Sequence, residues 1–406
     1  MADKPKKPGK PAKPAKPAKP AVAADPKEDA KSGVAVKPAP AAQAAKPATP
    51  AQAAKPTSAD NVTKLTPATK TINLALQGGG SHGAFTWGVL DRLLEENRLI
   101  IEGISGTSAG AMNAAVLAQG WSRGGREGAR QMLDQFWYRV GGLAVFSPSQ
   151  RSVFDRVTGN WNIDRSPVTY VNDLVQYALS PYAANPMGLN PLRDLLRELL
   201  VEEHVQSCAP LKLFITATNV ETGKPRVFQR HDVTVDAVMA SATLPFTFQA
   251  TEIDGLPYWD GGYMGNPVIW PMIYACQSPD VAIVQLNPMK RPGTPKTSVE
   301  IINRVNEISF NSSLLAELRA IHFVQRLRSR GWLTEEARGQ LKHMHVHVIE
   351  AEDALIELGA ASKMNPELDF LLHLRELGRH AAHHWLEANW DHIGKKNTVD
   401  LKTMLE

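Results

Sequence analysis

The chain has 406 residues, 43% hydrophobic and 21% charged, enough for one large domain or two modest ones with a sizeable core. Two cysteines, Cys208 and Cys276, are too few for a disulfide framework or a cysteine zinc cluster, and favour two buried thiols in a reducing compartment. The net charge is +4, but residues 1–70 carry 14 Lys against 5 acids, or +9, which leaves −5 for the rest.

Residues 1–70 also hold 13 of the 29 prolines and no Phe, Trp or Tyr. Such a segment buries too little apolar surface to offset the entropy of ordering it, which predicts a disordered basic tail on a mildly acidic body. From Lys10 to Pro20 it reads Lys-Pro-Ala in threes. Polyproline II also has three residues per turn, so Lys10, Lys13, Lys16 and Lys19 would line one face roughly 9 Å apart. That row suits an anionic surface or a plain solubilising leader. It lacks the Arg and aromatic residues of specific nucleic-acid readout. With no run of 18 apolar residues and no apolar stretch behind the N-terminal lysines, neither a membrane span nor a secretory signal is expected. The expectation is a cytoplasmic protein, peripheral at most at a membrane or granule surface.

Globular sequence starts near Thr71. The first predicted strand, Ile72-Asn73-Leu74-Ala75-Leu76, runs into Gln77-Gly78-Gly79-Gly80. After Ser81-His82-Gly83 comes a helical pattern, with Val89, Leu90, Leu93 and Leu94 apolar and Asp91, Arg92, Glu95 and Glu96 facing away. A strand, a glycine loop and a helix make the entrance to an α/β fold, with bare N–H groups at a helix end that favours an anion. Gly78, Gly80 and Gly83 also fit a dinucleotide fingerprint, which needs an acid closing the second strand to hold a ribose.

The second strand, Leu99 to Ile104, does not close on an acid. It enters Ser105-Gly106-Thr107-Ser108-Ala109-Gly110 and then a small-residue helix from Ala111 to Ala118. Gly106-x-Ser108-x-Gly110 between a strand and a helix is a nucleophile-elbow pattern. The turn brings strand and helix so close that its flanking positions tolerate no Cβ, and it leaves the hydroxyl exposed at a helix N-terminus. The anion indicated is then the transient oxyanion of a tetrahedral intermediate. Further on, Asp260-Gly261-Gly262 reads by itself as an ordinary turn.

Taken together in order and spacing, Gly78-Gly79-Gly80, Ser108 in its elbow, the approach Ala240-Ser241-Ala242-Thr243-Leu244-Pro245-Phe246 and Asp260-Gly261-Gly262 resemble the patatin-like phospholipase family. The resemblance covers about residues 71–350. It implies a three-layer α/β/α sandwich with a mostly parallel central sheet, and a Ser108–Asp260 dyad without histidine. It further implies an acyl-serine intermediate, an oxyanion hole from Gly78, Gly79 and Gly80, and supporting roles for Gly106, Gly110, Gly261 and Gly262. The implied substrates are fatty acyl esters of phospholipids, and no cofactor or metal is implied. Many members carry Arg where this chain has His82, so no fixed cation is expected at that position. A thioesterase, a polyhydroxyalkanoate depolymerase or a non-catalytic lipid- or granule-binding scaffold on the same fold are the alternatives. Intact Ser108 and Asp260 argue against the scaffold.

The remaining stretches carry weaker signals. Residues 141–205, with Phe146, Phe154, Trp161, Tyr170, Tyr177 and Tyr182, read as a cap over an acyl chain or as a second helix layer, and Asn190-Pro191-Leu192 opens a helix through Leu200. Leu314–Arg330 is an amphipathic helix whose apolar face is expected to pack in the fold, the alternative being an anionic lipid surface. His343, His345 and His347 share one face of a strand expected to be half-exposed. His380, His383 and His384 share a helix face expected to be solvated or packed; with His392 they are the candidates for an ordinary triad, and their spacing also suits a metal. Residues 351–406 read as a separate helical extension.

Overall fold

The computed structural model describes residues 69–147, 150–164, 179–359 and 361–406. The basic tail up to residue 68 lies outside them, as do Tyr170, Tyr177 and the side chains of Phe146 and Phe154. The first apolar run forms β1 (Lys70–Leu76) at the middle of an eight-stranded sheet. The other strands are β2 (Leu99–Gly106), β3 (Lys212–Asn219), β4 (Pro225–Gln229), β5 (Thr251–Ile253), β6 (Leu256–Asp260), β7 (Asp280–Val284) and β8 (His345–Ile349). Their order is β5-β6-β3-β2-β1-β7-β8, with β4 also on β3. The run from β3 to β8 is parallel, and β4, β5 and β6 are antiparallel additions at one edge.

Alternation along each strand sorts side chains to two buried faces. From β1, Ile72, Leu74 and Leu76 join one core while Ala75 joins the other. The first core lies under α1 (Gly83–Glu95), α2 (Ala109–Gly142), α3 (Pro191–Leu199) and α5 (Leu368–Asn389). The second lies under α4 (Ser298–Ser329), which contributes Leu314, Leu318 and Ile321. The expected sandwich is therefore present, and α4 buries the apolar face read from Leu314 onward. It begins sixteen residues earlier, capped by Thr297 with Glu300 in a capping box. Asn190 likewise caps α3, its Oδ1 accepting from the N–H groups of Leu192 (3.2 Å) and Arg193 (3.3 Å).

The C-terminal stretch changes two expectations. Helix α5 lies against α1 in backbone contact: a Cβ on Gly88 would fall 1.9 Å from the Arg375 carbonyl oxygen, and one on Gly378 2.0 Å from that of Phe85. This covers the face of α1 that the sequence pattern turns to solvent. Asp91 is 1% exposed, and guanidinium groups of Arg130, Arg375 and Arg379 converge on its carboxylate. The half-exposed strand is also corrected, since β8 is buried along its whole length. His347 donates from Nε2 to Asp280 Oδ1 (2.9 Å) and packs edge-on to Trp385 of α5. Together with His345 and the Gly394 N–H it holds the Asp280 carboxyl well below the usual carboxylate range despite burial.

Gly378→Ala is expected to lower the unfolding free energy by about 3 kcal/mol, because the clash is with backbone and no side chain can yield. Gly142→Ala, with open space around its Cβ, is expected to change it by less than about 1 kcal/mol. Urea titrations of the two variants check this; equal midpoints would show that α1 and α5 part easily.

Candidate active site

The parallel strands reverse their order at β1, between β2 and β7, which places a crevice beyond their C-terminal ends. Two of the motifs sit at that edge. Ser108, between β2 and α2, has φ 55° and ψ −122°, a left-handed conformation that costs an L-residue roughly 1–3 kcal/mol. The surroundings hold it there. Its N–H donates to Ser241 Oγ (2.9 Å), its carbonyl accepts from Ala111 (2.9 Å) and Met112 (3.1 Å), and Thr107 Oγ1 donates to the Gly265 carbonyl (2.7 Å). The flanking glycines are sterically required: a Cβ on Gly106 would lie 2.5 Å from the Gly110 oxygen, and one on Gly110 2.3 Å from the Leu76 oxygen.

The glycine loop lies directly against this serine, since a Cβ on Gly78 would fall 2.6 Å from Ser108 Cβ. Its conformation is set by three buried amides. The Gly78 N–H donates to Asn266 Oδ1 (2.6 Å), and the Gly78 carbonyl accepts from Asn287 Nδ2 (3.0 Å). Gln77 Oε1 accepts from the N–H groups of Leu286 (2.8 Å) and Asn287 (2.9 Å), and Gln77 Nε2 donates to the Asn266 carbonyl (3.2 Å). This bears on the three donors that the resemblance implies. The Gly78 amide is engaged by Asn266 Oδ1 within the fold.

Asp260 closes β6 and is 0% exposed. Its backbone is fixed to Thr243 and Thr218, and Oδ1 accepts from the Gly262 N–H (2.7 Å). Oδ2 is buried without a hydrogen-bond partner among the described residues. Burial pushes the carboxyl up to about 7, while the Gly262 N–H and the neighbouring Ser108 hydroxyl oppose the rise. Gly261 and Gly262 permit the approach: a Cβ on the first would meet the Thr216 oxygen at 2.0 Å, and one on the second the Phe310 ring at 2.2 Å. The fold thus gathers the glycine loop, the strained serine and a buried carboxylate of raised proton affinity in one place.

His82 is buried behind the loop. Ser362 Oγ donates to the Gly359 carbonyl (2.9 Å), so the 2.7 Å contact has His82 Nε2 donating to Ser362. Burial, aided by Lys363, lowers the His82 pKa to about 3 and keeps the ring neutral. The late histidines stand elsewhere. His383 meets Arg92 at the far end of α1, about 14 Å along the helix from Gly83, and both His383 and His384 face Glu387 on the surface. No group of three or more His, Cys, Asp or Glu among the described residues is placed to hold a metal ion. Of the cap aromatics, Trp161 stacks on His373 and Phe370 under Arg151, and Tyr182 is 59% exposed.

These features define an α/β protein whose candidate site combines a glycine loop, an elbow serine and a buried aspartate at the switch point of a mostly parallel sheet. Residues 74–273 match the family model of patatin-like phospholipase. A solved structure similar to the chain is VipD from Legionella pneumophila, 17% identical, with a TM-score of 0.29. The match covers 75% of this chain and 66% of the length of that one. No curated protein matches. Residues of the site that sequence reasoning passed over are Asn266, Asn287 and Lys363, single polar residues in no spaced motif. Ser241, in the stretch that approaches the aspartate, accepts from the Ser108 N–H, a role no spacing marks.

Proposed function

We propose that the chain hydrolyses fatty acyl esters of phospholipids through an acyl-Ser108 intermediate. Asp260 takes the hydroxyl proton as Ser108 attacks the ester carbonyl, and the Gly79 and Gly80 amides receive the oxyanion. The proton then passes to the leaving alcohol, and the carboxylate activates the water that releases the acid. The observation that carries this reading is the placement of a desolvated carboxylate beside a backbone-strained serine under a glycine loop. A carboxylate with a pKa near 7 is a far better base than one near 4. The test is labelling by a fluorophosphonate probe, with fatty-acid release from phospholipid measured alongside. Labelling lost in Ser108→Ala and in Asp260→Asn supports the dyad; labelling that survives Asp260→Asn but vanishes in His380 or His384 variants means a triad. Thioester or polyester turnover without phospholipid turnover would reassign the substrate.

The lipid reaches the site at a membrane surface. Support comes from α4, whose first half exposes Ile301, Ile302, Val305 and Ile308, and from Tyr263 and Met264 beside Asp260. The Tyr263 ring packs on Phe310 of the same helix at 5.3 Å, which joins the apolar stripe to the site. Ile301→Glu with Val305→Glu is expected to cut turnover of anionic phospholipid vesicles roughly tenfold, since each buried CH₂ contributes about 0.8 kcal/mol to lipid binding. Turnover of a soluble short-chain ester by that variant should be unchanged; a parallel loss there would show that the stripe serves the fold instead. Among the described residues no helix is long and apolar enough to cross a membrane.

A further inference from the structure

We propose that Lys363 is a positioning residue for the oxyanion donors, acting through Asn287 on the Gly78–Gly79 peptide. The inference rests on the reading of Ser108, Gly79 and Gly80 above. Lys363 belongs to the short turn Ala361–Met364, which sits on the glycine loop. A Cβ on Gly80, whose φ is +57°, would fall 2.3 Å from the Lys363 carbonyl oxygen, and Ser362 in the same turn holds His82. The Lys363 ammonium donates to Asn287 Oδ1 (2.7 Å). Asn287 Nδ2 in turn donates to the Gly78 carbonyl (3.0 Å) and meets Gln77 Oε1 at 3.3 Å.

Two physical consequences follow from this chain of contacts. In a trans peptide the carbonyl and the next N–H point in opposite directions. Holding the Gly78 carbonyl on Asn287 therefore fixes the Gly79 N–H on the other side of the loop. The second consequence is electrical. A cation bound to the Asn287 carbonyl polarises that amide, strengthens its N–H donor, and passes the polarisation on to the Gly78–Gly79 peptide. The Gly79 N–H becomes a better donor to a developing oxyanion, with no mobile cation placed at the ester. Burial and the Arg291 guanidinium lower the pKa of Lys363, while the Glu307 and Asp164 carboxylates favour its charged form.

The experiment compares wild type with Lys363→Met, Lys363→Arg and Asn287→Leu on a soluble short-chain ester. The affinity of a trifluoromethyl ketone, which forms a tetrahedral oxyanion adduct with the serine, is measured in parallel. Lys363→Met is expected to lower kcat by 10- to 100-fold with KM within twofold, and to weaken the ketone by the same factor. Lys363→Arg restores most of both, Asn287→Leu reproduces the loss, and the Lys363→Met/Asn287→Leu double variant is no worse than either single one. Wild-type kcat in Lys363→Met, or a fall in kcat that leaves ketone affinity intact, overturns the proposal. Should Lys363→Met fail to fold by circular dichroism, Lys363→Arg against Asn287→Leu decides it on the same two readouts. Absence of turnover and labelling in the wild type overturns the Ser108 reading, and this one with it; an active wild type with an unaltered Lys363→Met overturns this one alone.

Discussion

Ser108→Ala is expected to lower kcat/KM by at least about 10⁴-fold, the scale on which removal of a nucleophile acts in serine hydrolases. Ser108→Gly should be equally inactive but more stable than wild type by about 1 kcal/mol. Glycine relieves a left-handed conformation that costs an L-residue roughly 1–3 kcal/mol, and gives back part of the gain in chain entropy. The geometry behind this is the φ of 55° at Ser108, imposed by the contact of Gly106 with Gly110 and by the bond from the Ser108 N–H to Ser241. Urea titration of Ser108→Gly beside Ser108→Ala measures it. A glycine variant less stable than wild type would mean that the elbow is not strained.

Asp260→Asn is expected to cost roughly 10³–10⁴-fold in kcat/KM, since the amide cannot accept the serine proton. In the wild type, kcat/KM should fall tenfold per pH unit below about 7, where burial has placed the Asp260 carboxyl. The same shift acts on stability, and its sign is fixed by linkage. The folded state keeps a proton that the unfolded chain releases near 3.8, so this group's contribution is most favourable below that pH and declines as pH rises to about 7. Asn carries no such penalty. Relative to wild type, Asp260→Asn should therefore gain stability between pH 4 and pH 8, on the order of 3 kcal/mol. Glu317, buried and likewise raised to about 7, adds a decline of the same sign to both proteins, so the difference between them is the quantity to measure. A difference that stays constant from pH 4 to pH 8 would place the Asp260 pKa near that of an exposed carboxylate.

Both outcomes describe residues that cost the fold stability, held by neighbours far apart in the chain. Gln77, Asn266 and Asn287 are buried amides that pair with one another and with the glycine loop across about 190–210 residues. An isolated Asn or Gln has no spacing that marks it in a sequence, because its partner is chosen by the packing and not by a helical or strand period. The glycine loop was readable and the partner of its first amide was not: the Gly78 N–H meets Asn266 only once the loop after Asp260 folds back over β1.

By itself the sequence determined the strand–loop–helix entrance and the elbow pattern at Ser108, while the mostly parallel sandwich and the weight given to Asp260 came with the family resemblance. At Gly106 the constraint is local, since a Cβ would strike the Gly110 oxygen four residues away. Gly110 and Gly261 are instead required by the backbone of Leu76 and Thr216, brought to them by the sheet. The tertiary structure alone decided the burial of Asp91 under α5, the capture of His345 and His347 by Asp280, and the seating of Lys363 behind the glycine loop. The first and the third depend on residues 351–406, whose helix α5 packs chiefly against α1, nearly 300 residues earlier. The second depends on the pairing of β7 with β8. Solvent exposure and charge pairing are properties of the assembled layers, and no periodicity in a single helix or strand can reveal which neighbour will cover its polar face.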